Sequence, residues 1–277
     1  MSHDFKQLMV RKETPALWRV TFNNGPINLV DYETFRELDK AVAELESSPD
    51  VRVVIFDSAI RDFFLAHWDV AAQRKGDAPE SEPTWTDISL RLANAHFVSI
   101  ALIRGRARGI GNEIALGFDM RFASIEHAVL GQPEVGVGLI PGGGSIERLS
   151  LLVGRARALE VVLGAEDYDA QTAERYGWVN RALPDDKLDE FVLDFARRLA
   201  SFDSEPLVEA KRLLSRHGVP ATEDLQGSLM AFRGSFAWPG TQARAKVLAS
   251  LGFGKPSDLE ANFGEYLPRL KAQLHAG

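Results

Sequence analysis

Between Leu17 and Leu183 short runs rich in Val, Ile and Phe alternate with segments of helical periodicity, and beyond Pro184 the strand pattern stops. Strands and helices that alternate along a chain cover one another, so the pattern predicts an α/β fold built on parallel strands. Lys6 to Arg11 and Leu17 to Phe22 read as two strands joined across Thr14-Pro15. Val51 to Phe56 and Val98 to Ile103 are short, mostly apolar runs rich in Val and Ile, as expected of buried parallel strands. Phe63 to Ala66, Met120 to Ala123 and Ala128 to Leu130 read as shorter strands. From Tyr32 to Leu45 the apolar residues Phe35, Leu38, Val42 and Leu45 fall at helical spacing behind Asp31, a good N-cap. The charged, proline-bearing stretch Gln73 to Trp85 reads as a mobile surface loop.

After Pro184 the segments Leu188 to Phe202, Pro206 to Ser215, Thr222 to Phe236 and Gln242 to Leu251 are all amphipathic and helical. The expected division is a core over residues 1–203 and a helical region over 204–277. A chain of 277 residues, 45% hydrophobic and 26% charged, suits one large domain with such an appendage. The net charge of −7 argues against a nucleic-acid partner, because phosphate binding is driven by Lys and Arg. The absence of cysteine excludes disulfides, thiolate metal sites and a Cys nucleophile. The start of the chain has no apolar signal-like stretch, and no apolar run approaches about 18 residues. No membrane span and a cytoplasmic location are therefore expected.

Two glycine-rich turns stand where strands meet helices. Gly109-Ile110-Gly111-Asn112-Glu113 follows a buried strand and opens an apolar helix; Pro141-Gly142-Gly143-Gly144 opens another. Read locally, the first is a tight strand-to-helix turn. Its N–H groups at a helix start could also hold a developing oxyanion. It lacks the G-x-G-x-x-G spacing of a dinucleotide site, and neither turn continues into Gly-Lys-Ser/Thr as a P-loop would. Ser145 lacks the G-x-S-x-G elbow of a serine hydrolase. His67 has no second His at metal-ligand spacing, so no metal is expected. Glu113 and Glu134 each lie among glycines and apolar residues. Either could be an ordinary helix-start or loop carboxylate, or together they could act as a general acid and base.

In order along the chain, several segments resemble the crotonase (enoyl-CoA hydratase/isomerase) superfamily. Asn24-Gly25-Pro26-Ile27-Asn28-Leu29 is similar to its Pro-x-x-Asn-Ala-Leu loop, and Phe63 to Val70 to its Phe-Ser-Ala-Gly-Ala-Asp-Leu segment. Gly105 to Leu116 resembles its second oxyanion-hole segment, and Asp119 to Ser124 follows in outline. Gly131-Gln132-Pro133-Glu134, Gly138 to Gly144 and Gly177-Trp178-Val179-Asn180 complete the set. The resemblance implies a spiral of ββα units with a helical C-terminal region that mediates trimers, which often pair into hexamers. It implies an acyl-CoA thioester substrate, coenzyme A being part of that substrate and no separate cofactor being needed. It implies that the backbone N–H groups of Trp68 and Ile110 hold the thioester carbonyl, that Glu113 activates water and that Glu134 protonates C2. Pro26, Ile27, Asn28, Ala66, His67, Asp69, Val70, Gly109, Gly111 and Gly142 are the accompanying substrate-binding positions.

The chain departs from the pattern in places. His67 stands for the usual glycine, Trp68 for a small residue, and Ile110 for glycine or alanine. The usual basic residue after Asp69 is replaced by Val70-Ala71, leaving Arg74 and Lys75 as candidates for the CoA phosphates. The C-terminal end lacks Phe-x-x-Lys-Arg, with Arg269 and Lys271 as substitutes. The expected reaction is hydration of a trans-2-enoyl-CoA. The alternatives are another reaction of the superfamily (isomerisation, thioester hydrolysis, decarboxylation or retro-aldol cleavage) or an inactive CoA-binding protein.

Overall fold

The computed structural model describes residues 5–73 and 82–274. Among the described residues ten strands form two sheets. β1 (Leu8–Lys12), β2 (Leu17–Phe22), β3 (Val53–Ser58), β5 (Val98–Ile103), β7 (Met120–Ser124) and β10 (Arg181–Leu183) make the larger, in the order β1-β2-β3-β5-β7-β10. β4 (Phe63–Leu65), β6 (Arg106–Arg108), β8 (Val129–Gly131) and β9 (Asp167–Asp169) make the smaller, in that order. Only the β1–β2 and β8–β9 pairs are antiparallel.

Chain order explains the architecture. β3, β5 and β7 each pass directly to β4, β6 and β8 in the other sheet; helices return the chain after β4 and β6, whereas after β8 helices lead first to β9 beside it and only then to β10. Every ββα turn therefore advances one place across both sheets at once, which is a spiral. The helices Ile110–Gly117 and Glu134–Val137 end the second and third turns. The alternation in the sequence is this spiral read in one dimension.

The apolar runs are explained by burial on both faces. Val54, Phe56 and Ala101 face the main core, while Val53, Ile55, Ile100 and Leu102 face Leu188, Val192 and Ala196 of the helix Asp185–Ala200. That helix belongs to the core, and the helices Ser204–Gly218, Thr222–Ser235 and Pro239–Ser250 follow it. Asp31 caps Tyr32–Glu46 through Thr34 N–H, as the sequence implies.

Three boundaries differ from expectation for physical reasons. β1 starts later because the Glu37 carboxylate takes the N–H groups of Lys6, Gln7 and Leu8 at 2.7–3.0 Å. Arg106–Arg108, which reads as part of a turn, is a strand, with buried Arg108 paired to Asp167 at 2.7 and 2.6 Å. Trp85 opens the helix Trp85–Asn94 behind its cap Thr84, so the loop expected from Gln73 ends sooner. Residues 74–81 of that stretch lie outside the described residues. Among those described, no helix is long and apolar enough to cross a membrane.

Candidate active site

The two glycine turns bring Glu113 and Glu134 to one place. Glu113 is in the first turn of Ile110–Gly117 and is buried. Its Oε1 accepts from Gly143 N–H at 2.7 Å, Ser145 N–H at 3.2 Å and Ser145 Oγ at 3.0 Å. The second glycine turn is thus a cradle for this carboxylate, and Ser145 serves it rather than acting as a nucleophile. A Cβ built on Gly143 would stand 2.5 Å from Glu113 Oε2 and 2.7 Å from Ile110 Cδ1, so only glycine leaves that oxygen its space. One oxygen is tied and the other is open.

Glu134 repeats the arrangement. Its Oε2 accepts from Gln132 Nε2 at 2.9 Å, while a Cβ on Gly109 would meet Oε1 at 2.7 Å. Gly109 has φ +53°, a left-handed conformation that side chains resist, so both backbone and space demand glycine. Gln132 is itself oriented by a buried relay. Trp178 Nε1 donates to Asn112 Oδ1 at 3.0 Å, and Asn112 Nδ2 donates to Gln132 Oε1 at 2.7 Å. This orders Gln132 with its amide N–H toward Glu134, and it accounts for Asn112, Gln132 and Trp178 in three separate sequence segments.

Both carboxyls are pushed above the ordinary range. For Glu113 burial is the largest cause, opposed by the donors of Ser145 and Gly143 and reinforced by the charge of Glu147. Glu134 as a residue is half-buried, but its carboxyl lies among protein atoms, and burial followed by the charge of Glu113 raises it to about 8. Three donors favour an ionised Glu113, and that charge favours a protonated Glu134.

Two N–H groups stand ready nearby. Ile110 is the first residue of its helix, so its N–H has no intrahelical acceptor. Trp68 forms a lone parallel bridge with Val30, in which Val30 N–H donates to His67 O at 2.9 Å and Asp69 N–H to Val30 O at 2.8 Å. The intervening Trp68 N–H points away from Val30. Among the described residues neither N–H meets a protein acceptor.

The chain belongs to the enoyl-CoA hydratase/isomerase family. Residues 12–229 match the family model, Enoyl-CoA hydratase/isomerase. The short-chain-enoyl-CoA hydratase of Clostridium acetobutylicum is 31% identical over 201 residues, covering 71% of this chain and 77% of the relative. A crystal structure of an enoyl-CoA hydratase candidate from Streptomyces avermitilis superposes with TM-score 0.89 at 39% identity, covering 97% of this chain and 98% of the other. A carnitinyl-CoA dehydratase from Salmonella arizonae is 29% identical, covering 74% of this chain and 78% of the relative.

Other expected positions of the family pattern fall around these groups in different roles. Asn28 spends its side chain internally: Oδ1 accepts from Asn24 N–H at 2.6 Å, and Nδ2 donates to Ser58 Oγ and to the Phe63 and Phe64 carbonyls at 2.7–3.3 Å. Its carbonyl accepts from Ala66 N–H at 3.0 Å, so Asn28 shapes the loop that carries Trp68. Ile27 and Ala66 pack with Phe63, while Pro26 is exposed. Asp69 Oδ1 caps Ala71 N–H, and Val70 begins the short helix Val70–Gln73. Gly111 lets the helix rest on β4, because a Cβ there would meet Leu65 O at 2.2 Å. Gly142 faces Phe232, so it seats the C-terminal helices. The Trp68 indole lies edge-on to Tyr32 and tilted over Phe35, at 5.0 and 5.5 Å. Arg74 and Lys75 lie outside the described residues, Arg269 is exposed, and the Lys271 side chain is not described.

Sequence reasoning missed Glu260. Its Oε1 lies 2.9 Å from His67 Nε2, bridging 193 residues. No spacing rule connects residues so far apart, and Glu260 sits in Ser257-Asp258-Leu259-Glu260, which reads as an ordinary acidic helix start.

Proposed function

We propose that this protein is an enoyl-CoA hydratase, adding water across the double bond of a trans-2-enoyl-CoA. The observation that carries the reading is the pair of carboxylates, each with one oxygen tied and one open, beside two N–H groups without protein acceptors. The thioester oxygen accepts from Trp68 and Ile110 N–H. Glu113 takes a proton from water as its oxygen attacks C3. The electron pair of the double bond moves onto the thioester as an enolate, which the two donors stabilise, and Glu134 delivers its proton to C2. Two carboxylates poised as base and acid suit hydration, and the carnitinyl-CoA dehydratase among the relatives has the same chemistry in the opposite sense.

Self-association belongs to the same reading. The helix Ser204–Gly218 buries no residue, although it carries Leu213 and Leu214, 45% and 75% exposed. An uncovered amphipathic helix beside exposed Met230 and Trp238 favours association, and a trimer or a pair of trimers is the expected state. A monomer mass by light scattering at micromolar concentration would exclude it.

The test of the reaction is hydration of a short trans-2-enoyl-CoA, followed by loss of the conjugated thioester absorbance. Glu113→Gln and Glu134→Gln each remove proton chemistry while keeping shape, and each should cost about 10²–10⁴-fold. The double variant should fall far short of the product of the single losses, because the pair acts in one transition state. A Glu113→Gln enzyme that hydrates as fast as wild type would reject the role of Glu113 as the base.

A further inference from the structure

The His67 ring is held on both nitrogens. Nδ1 lies 2.9 Å from the Trp68 carbonyl oxygen and Nε2 lies 2.9 Å from Glu260 Oε1. Its face stacks on Phe253 with centroids 4.0 Å apart and planes 5° from parallel. A carbonyl can only accept, so Nδ1 carries a hydrogen. Burial opposes ionisation of Glu260, yet the bonds from His67 and Gly254 and the charge of Arg108 hold its carboxyl below the ordinary range. The ring thus bridges the Trp68 carbonyl and the Glu260 carboxyl. Around the pair, Arg108 Nη1 donates to Glu260 O at 2.5 Å, and Asp167 in turn binds Arg108.

We propose that buried His67 and Glu260 form a hydrogen-bonded pair that positions the Trp68 peptide, so that the C-terminal region holds the first thioester donor in place. The inference rests on reading Trp68 N–H as that donor. Val30 fixes the His67 carbonyl and the Asp69 N–H on one side, and the His67 ring fixes the Trp68 carbonyl between them. With both flanking peptides held, the Trp68 N–H has one direction. The ring touches no reacting atom in this scheme; His67 and Glu260 are positioning residues.

Glu260→Leu is the discriminating variant. It removes the oxygen that His67 Nε2 and Gly254 N–H share, so the ring loses its anchor at that end. Glu260→Gln keeps a partner for the ring, because its amide can accept from a protonated Nε2 or donate to a bare one. For Glu260→Leu we expect kcat to fall about tenfold or more, below the 10²–10³-fold cost of deleting a donor outright, with KM within about threefold of wild type. Glu260→Gln should retain more kcat than Glu260→Leu. Imidazole ¹⁵N–¹H spectra should show a slowly exchanging hydrogen on His67 Nδ1 in the wild type and a fast-exchanging one in Glu260→Leu. His67→Asn, whose amide can still donate to the Trp68 carbonyl, should retain more kcat than His67→Leu. A wild-type His67 ring with no hydrogen on Nδ1, or a folded Glu260→Leu enzyme with wild-type kcat, overturns the proposal. A wild type that hydrates no enoyl-CoA would refute the reaction instead, and the ring spectrum then decides the pair alone.

Discussion

Gly143→Ala should disable the base without touching it. A Cβ at this position would stand 2.5 Å from Glu113 Oε2 and 2.8 Å from its Cδ, where ordinary contact begins near 3.4 Å. The Glu113 carboxylate cannot swing aside freely, because its other oxygen is held by Gly143 and Ser145. The open oxygen must therefore retreat by roughly 0.9 Å or the glycine turn must widen, and a misplacement of about 1 Å at a reacting group can cost on the order of 10²-fold. Overpacking of this kind costs about 1–3 kcal/mol in stability, so the fold should survive. The assay pairs hydration kinetics with urea denaturation, using Gly227→Ala as control. Gly227 lies in the helix Thr222–Ser235 with nothing within 4 Å of its added Cβ, so alanine there should stabilise by about 0.5–1 kcal/mol and leave kcat unchanged. Gly143→Ala in the Glu113→Gln background should cost little more, since the displaced group is already inert. A Gly143→Ala enzyme within threefold of wild-type kcat would refute the placement of Glu113 Oε2 against the reacting water.

Glu134 raised to about 8 makes the acid form the working one below that pH, so kcat/KM for hydration should fall as pH rises through about 8, and Glu134→Gln should lose that limb. Because a carboxyl with a raised folded-state pKa loses stability as pH rises from its unfolded value toward the folded one, Glu134→Gln should melt above wild type at pH 8. Lys211 Nζ donates to the Leu92 and Phe97 carbonyls and to Asp119 at 2.7–2.8 Å, tying the helix Ser204–Gly218 to the core. Lys211→Met leaves Asp119 and two carbonyls short of a buried partner and should cost about 3–5 kcal/mol by chemical denaturation. Asn28→Ala should destabilise by a few kcal/mol, roughly 1 per lost hydrogen bond, with CoA-ester affinity little changed in the folded fraction.

The strands most legible in the sequence were those with two buried faces. β2 and β5 match their expected bounds because apolar residues on both of their faces are shielded. β6 was obscured for the opposite reason: its two arginines are neutralised by Asp167 and by the carbonyls of Glu260 and Ala261, partners far along the chain. The site divides along the same line. Glu113, Glu134 and their glycines were visible because a carboxylate in an apolar, glycine-bracketed setting is locally unusual. Asn112, Gln132 and Trp178 were visible as letters in motifs, but their relay exists only when three segments meet. His67 was visible only as a departure from the family pattern, and its partner Glu260 looks ordinary until the two are brought together.

The glycines and the carboxylates solve one physical problem from two sides. A carboxylate that exchanges protons near neutral pH must be kept from water, and burial does this at the cost of ionisation. Hydrogen-bond donors restore a charge where one is needed, and the Gly143 and Ser145 donors do so for Glu113. Yet a fully satisfied carboxylate has no lone pair left for a substrate. Side-chain-free positions at Gly109 and Gly143 let the second oxygen of each acid lie against backbone without being bonded by it. Replacing either glycine fills the space that keeps the acid half-satisfied. On the proposed mechanism the two turns therefore serve the acid–base chemistry as well as opening two helices.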